Sequence, residues 1–223
     1  MVLLFFGPPG SGKGTQSKRI AEWMGIPAIS TGEMFRAEVA AGTPLGREAQ
    51  EVMSRGGLMG DEIVNRMLEF RLAQETLRGG FLLDGYPRTL SQAQFLDSIL
   101  NKLGMPEPTV LHLDVPRQSL IERMSGRRHC PMCGHTYNVF TQPPRDHGLC
   151  DADGVALESR ADDAEGIVRE RLRQYELQTG PLIGFYQHRD YHLVNGDRSA
   201  DEVFRDLTGE LESRLVRVRG QRR

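Results

Sequence analysis

The chain has 223 residues, of which 39% are hydrophobic and 26% are charged, and this composition excludes a disordered protein. No apolar run reaches the roughly 18–20 residues that span a membrane, and the short apolar N-terminus lacks the basic start and cleavage site of a signal peptide, so we expect a cytoplasmic protein with no membrane partner. A formal net charge of -2 argues against broad nucleic-acid binding.

Short apolar segments alternate with longer helical patterns, which predicts parallel strands joined by crossover helices. We therefore expect a three-layer α/β fold around a five-stranded parallel sheet. The predicted strands lie at residues 1–6, 27–30, 81–83, 109–115 and 191–194. Three of them precede residues suited to a phosphate site, namely Gly7, Ser30-Thr31 and Asp84-Gly85. Because ligands of such sheets bind beyond the carboxyl ends of the strands, these segments should converge on one crevice.

The first strand leads into the sequence GPPGSGKGT at residues 7–15, a phosphate-binding loop followed by a predicted helix. Its glycines let backbone N–H groups surround phosphate oxygens, and the helix N-terminus favours the same negative charge. Lys13 brings a positive charge to the β- and γ-phosphates. Position 14 is Gly, so no hydroxyl directly follows the lysine. We expect Asp84 to organise Mg²⁺ through water instead, the alternative being an aspartate that only caps a turn.

Two segments interrupt the alternation of strands and helices and are predicted to be insertions. Residues 30–59 contain two short helical patterns separated at residues 42–44. Residues 127–163 carry all three cysteines and have too few apolar residues for a core of their own, so they need another source of stability. The predicted core domain comprises residues 1–29, 60–126 and 164–223.

Three cysteines and one aspartate in the second insertion have the spacing of a structural zinc ribbon. These predicted ligands are Cys130, Cys133, Cys150 and Asp153. Three nearby histidines are the alternatives to the aspartate, namely His129, His135 and His147. A bound iron and a metal-free segment also remain open. Four protein ligands leave no position for chemistry, so the metal should be structural. The segment lacks a sustained basic face, which makes nucleic-acid binding a weaker interpretation.

Five motifs, in this order along the chain, resemble those of the adenylate kinase family in its long bacterial form. They are GPPGSGKGT at 7–15, STGEMFR at 30–36, GFLLDGYPRT at 80–89, GRR at 126–128, and RADD at 160–163 with RERL at 169–172. The resemblance implies a P-loop kinase that catalyses Mg·ATP + AMP ⇌ 2 ADP for adenine nucleotide homeostasis. It also implies a monomer in which residues 30–59 bind AMP and residues 127–163 form a mobile lid with zinc.

The resemblance also assigns individual residues to the two nucleotides. Those expected at ATP are Gly10, Ser11, Gly12, Lys13, Gly14, Thr15, Arg123, Arg127, Thr136, Tyr137 and Arg198. Those expected at AMP are Thr31, Arg36, Gly57, Leu58, Met59, Gly85, Tyr86, Pro87, Arg88, Gln92, Arg160 and Arg171. The expected catalytic set is Lys13, Arg88, Arg123, Arg160 and Arg171. Gln92 would contact the adenine edge. Tyr86 replaces the usual phenylalanine, a change that we expect to matter little.

The number of arginines in these motifs fits phosphoryl transfer, which asks a protein for alignment and charge neutralisation more than for covalent chemistry. Planar guanidinium groups suit bidentate contact with phosphate better than lysine does. Arg171 borders a helical stripe formed by Val168, Leu172 and Tyr175, so its side chain should lean toward the interior. We find no Ser-His-Asp or paired-carboxylate pattern, and the ionised phosphate oxygen of AMP needs no general base.

Two other functions remain open at this point. A kinase for UMP, CMP or another small metabolite would share the phosphate loop, although the long lid and Gln92 favour AMP. A regulatory ATP-binding module with a zinc ribbon for partner proteins is the alternative outside the kinases.

Overall fold

Parallel strands form the central sheet of this computed structural model, which describes residues 1–73, 77 and 79–220, with side chains as far as Arg214. The strands of the structure are β1 (Val2–Phe6), β2 (Ala28–Ser30), β3 (Phe81–Asp84), β4 (Thr109–Asp114), β5 (Arg127–His129), β6 (Thr136–Asn138) and β7 (Tyr191–Asn195). Five of them form the sheet in the order β2-β3-β1-β4-β7, and every pairing in it is parallel. The predicted three-layer α/β fold around a five-stranded parallel sheet is confirmed, and each predicted sheet strand begins and ends within one residue of the observed bounds.

Nine α-helices connect and cover the strands in the described part of the chain. They are α1 (Lys13–Met24), α2 (Thr31–Ala40), α3 (Pro44–Ser54), α4 (Asp61–Leu72), α5 (Leu90–Lys102), α6 (Arg117–Ser125), α7 (Glu165–Gln174), α8 (Pro181–Tyr186) and α9 (Ala200–Gly220). A 3₁₀ turn (Ala161–Asp163) precedes α7, and a π-helical turn (Tyr175–Thr179) follows it. Residues 74–76, 78 and 221–223 of the predicted core domain lie outside the described residues.

Both faces of the sheet are buried, because side chains alternate along each strand and helices cover both sides. On β1, Phe6 packs edge-on against Tyr186 of α8 with ring centroids 5.2 Å apart. Its neighbour Phe5 points to the other face and joins a cluster with Ile20 of α1 and Leu207 of α9. Fully burying a side chain of this size contributes roughly 1.5–3 kcal/mol. The continuous apolar run of β1 therefore specifies a central strand.

The strand register brings the predicted phosphate-site segments to one edge of the sheet. Ser30 and Phe5 lie opposite Asp84 on either side of β3. The loops that follow β1, β2 and β3 therefore begin at the same level. This is the common edge that parallel strands create, and it positions the site described below.

The two predicted insertions have their own local structure. In the first, Gly46 of α3 lies against α2 so closely that a Cβ there would be 2.0 Å from the carbonyl oxygen of Glu38. In the second, β5 and β6 form an antiparallel pair, and the small buried cluster consists of Cys130, Tyr137 and Cys150. Among the described residues, we find no helix with the length and apolar character needed to cross a membrane.

Candidate active site

The loop between β1 and α1 has a backbone shape that requires glycine. Gly10 and Gly12 have φ angles of +85° and +94°, and a Cβ on Gly10 would lie 3.0 Å from the carbonyl oxygen of Leu120. The helix α1 starts at Lys13, so its first N–H groups face the loop. The hydroxyl of Ser11 is buried and has no hydrogen-bond partner among the described residues. Such a loop can surround an anion with backbone and hydroxyl donors.

Lys13 turns its side chain back over this loop. Its Nζ donates hydrogen bonds to the carbonyl oxygens of Gly7 at 2.5 Å and Pro8 at 2.9 Å. Burial lowers the pKa of Lys13 to about 7; nearby Asp84 raises it and Arg88 lowers it further. A phosphate beside the ammonium group would favour its charged form, so a nucleotide bound to the loop would raise the pKa of Lys13.

Asp84 ends β3 next to the loop and is buried. Its Oδ2 would lie 3.7 Å from a Cβ at Gly14, the position that carries no hydroxyl. Burial raises the pKa of Asp84, while Lys13 and Arg88 lower it. A carboxylate oxygen at this place is the hard donor that Mg²⁺ prefers, so the residues present fit a magnesium ion that is bound mainly by phosphate and water.

Arg88 lies on the loop after β3, with its side chain folded toward the crevice. Its Nε donates to the carbonyl oxygen of Gly85 at 2.8 Å, and that oxygen also accepts the hydroxyl of Thr31 at 2.9 Å. The backbone of Arg88 is held from the other side, where Thr179 in the π-helical turn donates to its carbonyl oxygen at 3.0 Å. Burial, with Arg171 as the next cause, lowers the pKa of Arg88 to about 10. The guanidinium stays charged at neutral pH.

Two carboxylates after Arg160 organise the neighbouring arginines. Asp163 makes a bidentate pair with Arg127, whose Nε donates at 2.7 Å. Asp162 accepts from Arg171 at 2.8 Å, and Arg171 also reaches Asp163 at 3.3 Å. Arg160 itself has a buried Nε without a hydrogen-bond partner among the described residues. Several guanidinium groups therefore meet in one buried place, with fewer carboxylates than cations around them.

The first insertion contributes a wall on the opposite side of this cluster. A Cβ on Gly56 would lie 3.1 Å from the Cγ of Arg171, so the end of the insertion packs directly against α7. Met59 is buried in the main apolar cluster, and Leu58 beside it is partly exposed. The guanidinium of Arg36 lies beside Gly32 at the start of α2. Arg36 is close enough to lower the pKa of Arg88, so the first insertion brings a second cation to that guanidinium.

Gln92 lies next to the Arg88 backbone, in the first turn of α5. It is buried, its Oε1 accepts the backbone N–H of Arg88 at 2.8 Å, and its Nε2 donates to Asp61 at 2.8 Å. Tyr86 is fully buried beside it, and its hydroxyl donates to the side-chain oxygen of Asn65 at 2.6 Å. A phenylalanine has no hydroxyl to join α4 to the β3 loop in this way, and the expectation that the change matters little stays a prediction.

Arg123 and Arg198, both expected at ATP, are brought together at the end of β7. Arg123 donates to the carbonyl oxygens of Gly196 at 2.8 Å and Arg198 at 3.5 Å. The side chain of Arg198 pairs with Asp206 of α9. The backbone of this segment, more than the Arg198 side chain, therefore lies beside Arg123.

The two β6 residues expected at ATP differ in their placement. Thr136 is exposed, whereas Tyr137 is buried in the second insertion. The Tyr137 hydroxyl accepts the backbone N–H of Asp151 at 2.9 Å and lies 3.5 Å from the Sγ of Cys150. The hydroxyl of Tyr137 thus supports the cysteine cluster, which leaves its ring edge as the part available to a nucleotide.

Four predicted metal ligands come together in the second insertion. Their ligand atoms lie within 4.8 Å of one another, and they belong to Cys130, Cys133, Cys150 and Asp153. The two Sγ atoms of Cys133 and Cys150 are 3.5 Å apart, close to the roughly 3.8 Å between two thiolates on a tetrahedral zinc with Zn–S bonds of about 2.3 Å. The backbone N–H of Val155 holds the pKa of Asp153 at about 2. The donor set fits a structural zinc ion.

Comparison with known proteins identifies the family. A family model described as "Adenylate kinase" matches residues 5–191. A protein named adenylate kinase from Thermodesulfovibrio yellowstonii is 47% identical over 215 residues, which is 96% of this chain and 100% of that protein. The chain belongs to the adenylate kinase family. The protein of the same name from Oceanobacillus iheyensis is 46% identical over 96% of this chain and 100% of its own length. The one from Fervidobacterium nodosum is 45% identical over 93% and 95%.

Membership of the adenylate kinase family confirms the resemblance inferred from the motifs, but several residues around the site were not found in that way. Asp162 and Asp163 belong to the RADD motif at 160–163, but the resemblance assigned them no function. Two carboxylates shortly after an arginine are nevertheless a usable signal for ion pairing. Asp61 and Thr179 carry no such signal. Their contacts join segments that are 31 and 91 residues apart along the chain.

Proposed function

We propose that this protein catalyses the reversible reaction Mg·ATP + AMP ⇌ 2 ADP. The observation that supports it best is the buried group of cations between the phosphate loop and Gln92. Lys13 is on the loop side, Arg88 is on the Gln92 side, and Arg171 influences the pKa of both. A phosphoryl group moving between two nucleotides needs this arrangement, in which positive charge faces both the donor and the acceptor.

The chemistry requires alignment rather than a general base. An ionised oxygen of the AMP phosphate forms a bond to the γ-phosphorus of ATP, the bond from that phosphorus to the β–γ bridging oxygen breaks, and the electron pair stays on the ADP that leaves. Lys13 and Arg88 would hold the two nucleotides, and Arg160 and Arg171 would neutralise charge on the transferred group. Bound Mg²⁺, organised by Asp84, would supply further charge neutralisation at the β- and γ-oxygens.

The remaining expected residues divide between the two nucleotides. At ATP we propose the loop residues, Arg123, Arg127 and the backbone at Arg198, with the edge of the Tyr137 ring. At AMP we propose Thr31, Arg36, the backbone of residues 57–59, the β3 loop and Gln92. Arg127 is paired with Asp163, so its guanidinium would have to contact Asp163 and ATP at the same time.

We also propose the domain organisation that the sequence predicts. Residues 30–59 would bind AMP, and residues 127–163 would form a lid that holds a structural zinc through Cys130, Cys133, Cys150 and Asp153. Closure of such a lid excludes water, which protects ATP from hydrolysis. The protein would act as a cytoplasmic monomer that balances the adenine nucleotide pool and binds no nucleic acid.

An acceptor panel tests the proposed reaction. With Mg·ATP as the donor, ADP formation is measured with AMP, CMP, UMP and GMP, and we expect AMP to give the highest kcat/KM by at least about tenfold. A higher value with CMP or UMP would replace the proposal by a pyrimidine nucleotide kinase. ATP binding without turnover of any acceptor would favour the regulatory module.

The pKa of Lys13 leads to a prediction about proton uptake. A lysine with a pKa of about 7 is largely uncharged at about pH 8, and a bound triphosphate favours its charged form. Binding of Mg·ATP at about pH 8 should therefore take up as much as about one proton, and this uptake should fade below about pH 6, where Lys13 is already protonated. Calorimetric titrations in buffers of different ionisation enthalpy measure this number.

Two lysine variants in the same helix give the control for this measurement. Lys18 is exposed and paired with Glu33, so Lys18→Met should show the same uptake as the wild type. Lys13→Met should bind Mg·ATP more weakly and without this proton. Equal uptake by Lys13→Met and the wild type would assign the proton to another group.

A further inference from the structure

The side-chain amide of Gln92 is held at both of its ends by groups of fixed polarity. Its Oε1 faces a backbone N–H of Arg88, which can only donate, and its Nε2 faces the Oδ1 of Asp61, which when ionised can only accept. Both distances are 2.8 Å, and Gln92 is buried. A 180° rotation of the amide would place two oxygens together at Asp61 and two donors together at Arg88. The amide therefore has one stable orientation.

Asp61 is itself fixed in position. It is the first residue of α4, where the helix N-terminus stabilises a negative charge. Its second oxygen, Oδ2, accepts the hydroxyl of Thr89 at 2.8 Å, and the same hydroxyl accepts the backbone N–H of Gln92 at 3.2 Å. Asp61 thus ties the start of α4 to the start of α5, and its carboxylate cannot turn away from Gln92 without losing both contacts.

A second contact holds the backbone on which Gln92 is mounted. The hydroxyl of Tyr86 lies 3.0 Å from the backbone carbonyl oxygen of Gln92 and 2.6 Å from Asn65, one turn after Asp61 on α4. The hydroxyl has one proton, so it donates to one of these two oxygens at a time, and it contacts neither end of the Gln92 amide. The orientation of the amide therefore depends on the contacts with Asp61 and Arg88.

We propose that Asp61 is a positioning residue that makes the acceptor site select a 6-aminopurine over a 6-oxopurine. Adenine presents a donor at N6 beside an acceptor at N1, whereas a 6-oxopurine presents an acceptor at O6 beside a donor at N1. The two edges have the same shape and opposite polarity. An amide that could rotate would pair with either one, and the amide fixed by Asp61 and Arg88 pairs with only one. This inference rests on the proposed binding of AMP next to Gln92.

Inosine monophosphate is the sharpest probe, because it differs from AMP only at these two edge positions. The test compares kcat/KM for AMP with kcat/KM for inosine monophosphate in the wild type and in Asp61→Asn. Asparagine offers either a donor or an acceptor, so it removes the part of the barrier to amide rotation that Asp61 provides and leaves only the contact with the Arg88 N–H. We expect the AMP preference to fall by about 10–100-fold, the range associated with one hydrogen bond to a charged group.

Glu62→Gln is the matched control, because it removes the same charge from the next position of the same helix turn, where the side chain is exposed. Its AMP preference should equal that of the wild type, which separates amide polarity from the charge at the helix start. Asp61→Ser provides the second variant if Asp61→Asn does not fold, since a hydroxyl also donates or accepts. Thermal unfolding of each variant checks its fold.

The outcomes separate this inference from the proposed function. A folded Asp61→Asn or Asp61→Ser enzyme that keeps the wild-type ratio overturns the role of Asp61 and leaves the AMP reaction intact. An equal loss with AMP and inosine monophosphate would overturn it as well, since that is the signature of a purely structural residue. A wild-type enzyme that does not phosphorylate AMP would instead contradict the proposed function.

Discussion

Replacing Arg88 by alanine should lower kcat with ATP and AMP by about 10³–10⁵-fold, the range over which a single arginine stabilises a phosphoryl-transfer transition state. Arg88 is suited to this role because its position is fixed from several directions. Its Nε is bonded to Gly85, its backbone carbonyl oxygen accepts from Thr179, and its backbone N–H is bonded to Gln92. The remaining guanidinium N–H groups make no hydrogen bond to the described residues, so they can hold phosphate oxygens with little loss of entropy on binding.

A second variant of Arg88 separates the effect of the planar guanidinium group from that of its positive charge, and a variant of Arg169 serves as the control. Arg88→Lys keeps the positive charge but loses the planar fork, so it should recover only a small part of the lost rate. Arg169→Ala is the control, because Arg169 is exposed on α7 and its ion-pair partner among the described residues is Glu165, one helical turn away at 2.8 Å. Its kcat should stay within about twofold of the wild type. Steady-state ADP formation measures all three. An Arg88→Ala enzyme within tenfold of the wild type would remove Arg88 from the proposed catalytic set.

Lys13→Ala should lower turnover by several orders of magnitude as well, because it removes the one side-chain cation that the loop itself provides. Together, the two alanine variants probe the loop side and the Gln92 side of the same cluster. If both retained wild-type turnover, the site would lie elsewhere on the molecule.

The fold was predictable because its signals are local. The inner strands β1, β3 and β4 are short, mainly apolar runs, since a central parallel strand is buried on both faces and tolerates few polar residues. β1 and β4 are the clearest cases, and the glycines after β1 identify the loop without reference to any other segment. The three-residue strand β2 carried the weakest signal, because one of its residues, Ala28, is exposed.

The site was predictable only as a set of residue types at one edge of the sheet. Motifs indicated which arginines converge, but the partners that orient them come from segments far apart in sequence. Asp163 with Arg127 spans 36 residues, and Asp61 with Gln92 spans 31. No periodicity or spacing rule specifies such pairs, because they depend on how helices pack once the core has formed. The contact of Tyr86 could not be predicted for the same reason, since its hydroxyl meets Asn65 only when α4 packs beside the β3 loop.

Loss of one cysteine from the predicted zinc site should have the largest effect on stability. The second insertion has little else to hold it, because its buried cluster comprises only Cys130, Tyr137 and Cys150, with Val155 and Leu157 packed beside them. Structural zinc supplies about 10–16 kcal/mol of apparent binding energy in small finger peptides, and this energy becomes folding energy. We expect Cys150→Ala to lose its zinc and the local order of residues 127–163.

The measurements are metal content and thermal unfolding. Purified wild type should contain about one zinc per chain and Cys150→Ala almost none. If the variant loses 3–5 kcal/mol, its Tm should fall by about 6–20 °C, since a chain of this size shifts by roughly 2–4 °C per kcal/mol. A chelator should lower the Tm of the wild type and leave that of Cys150→Ala unchanged. Wild-type protein that contains iron, or no metal at all, would contradict the zinc assignment.

Variants of Asp153 and His135 identify the fourth zinc ligand through their effects on zinc binding. His135 has its Nδ1 3.4 Å from the Sγ of Cys133, yet the four ligand atoms that come together are those of the cysteines and Asp153. Asp153→Ala should therefore weaken zinc binding, Asp153→Cys should retain it because thiolate is the commoner ligand, and His135→Ala should leave it unchanged. Release of zinc by His135→Ala alone would make His135 the ligand. The carboxylate would then serve only the turn at Val155, whose N–H it accepts at 3.1 Å.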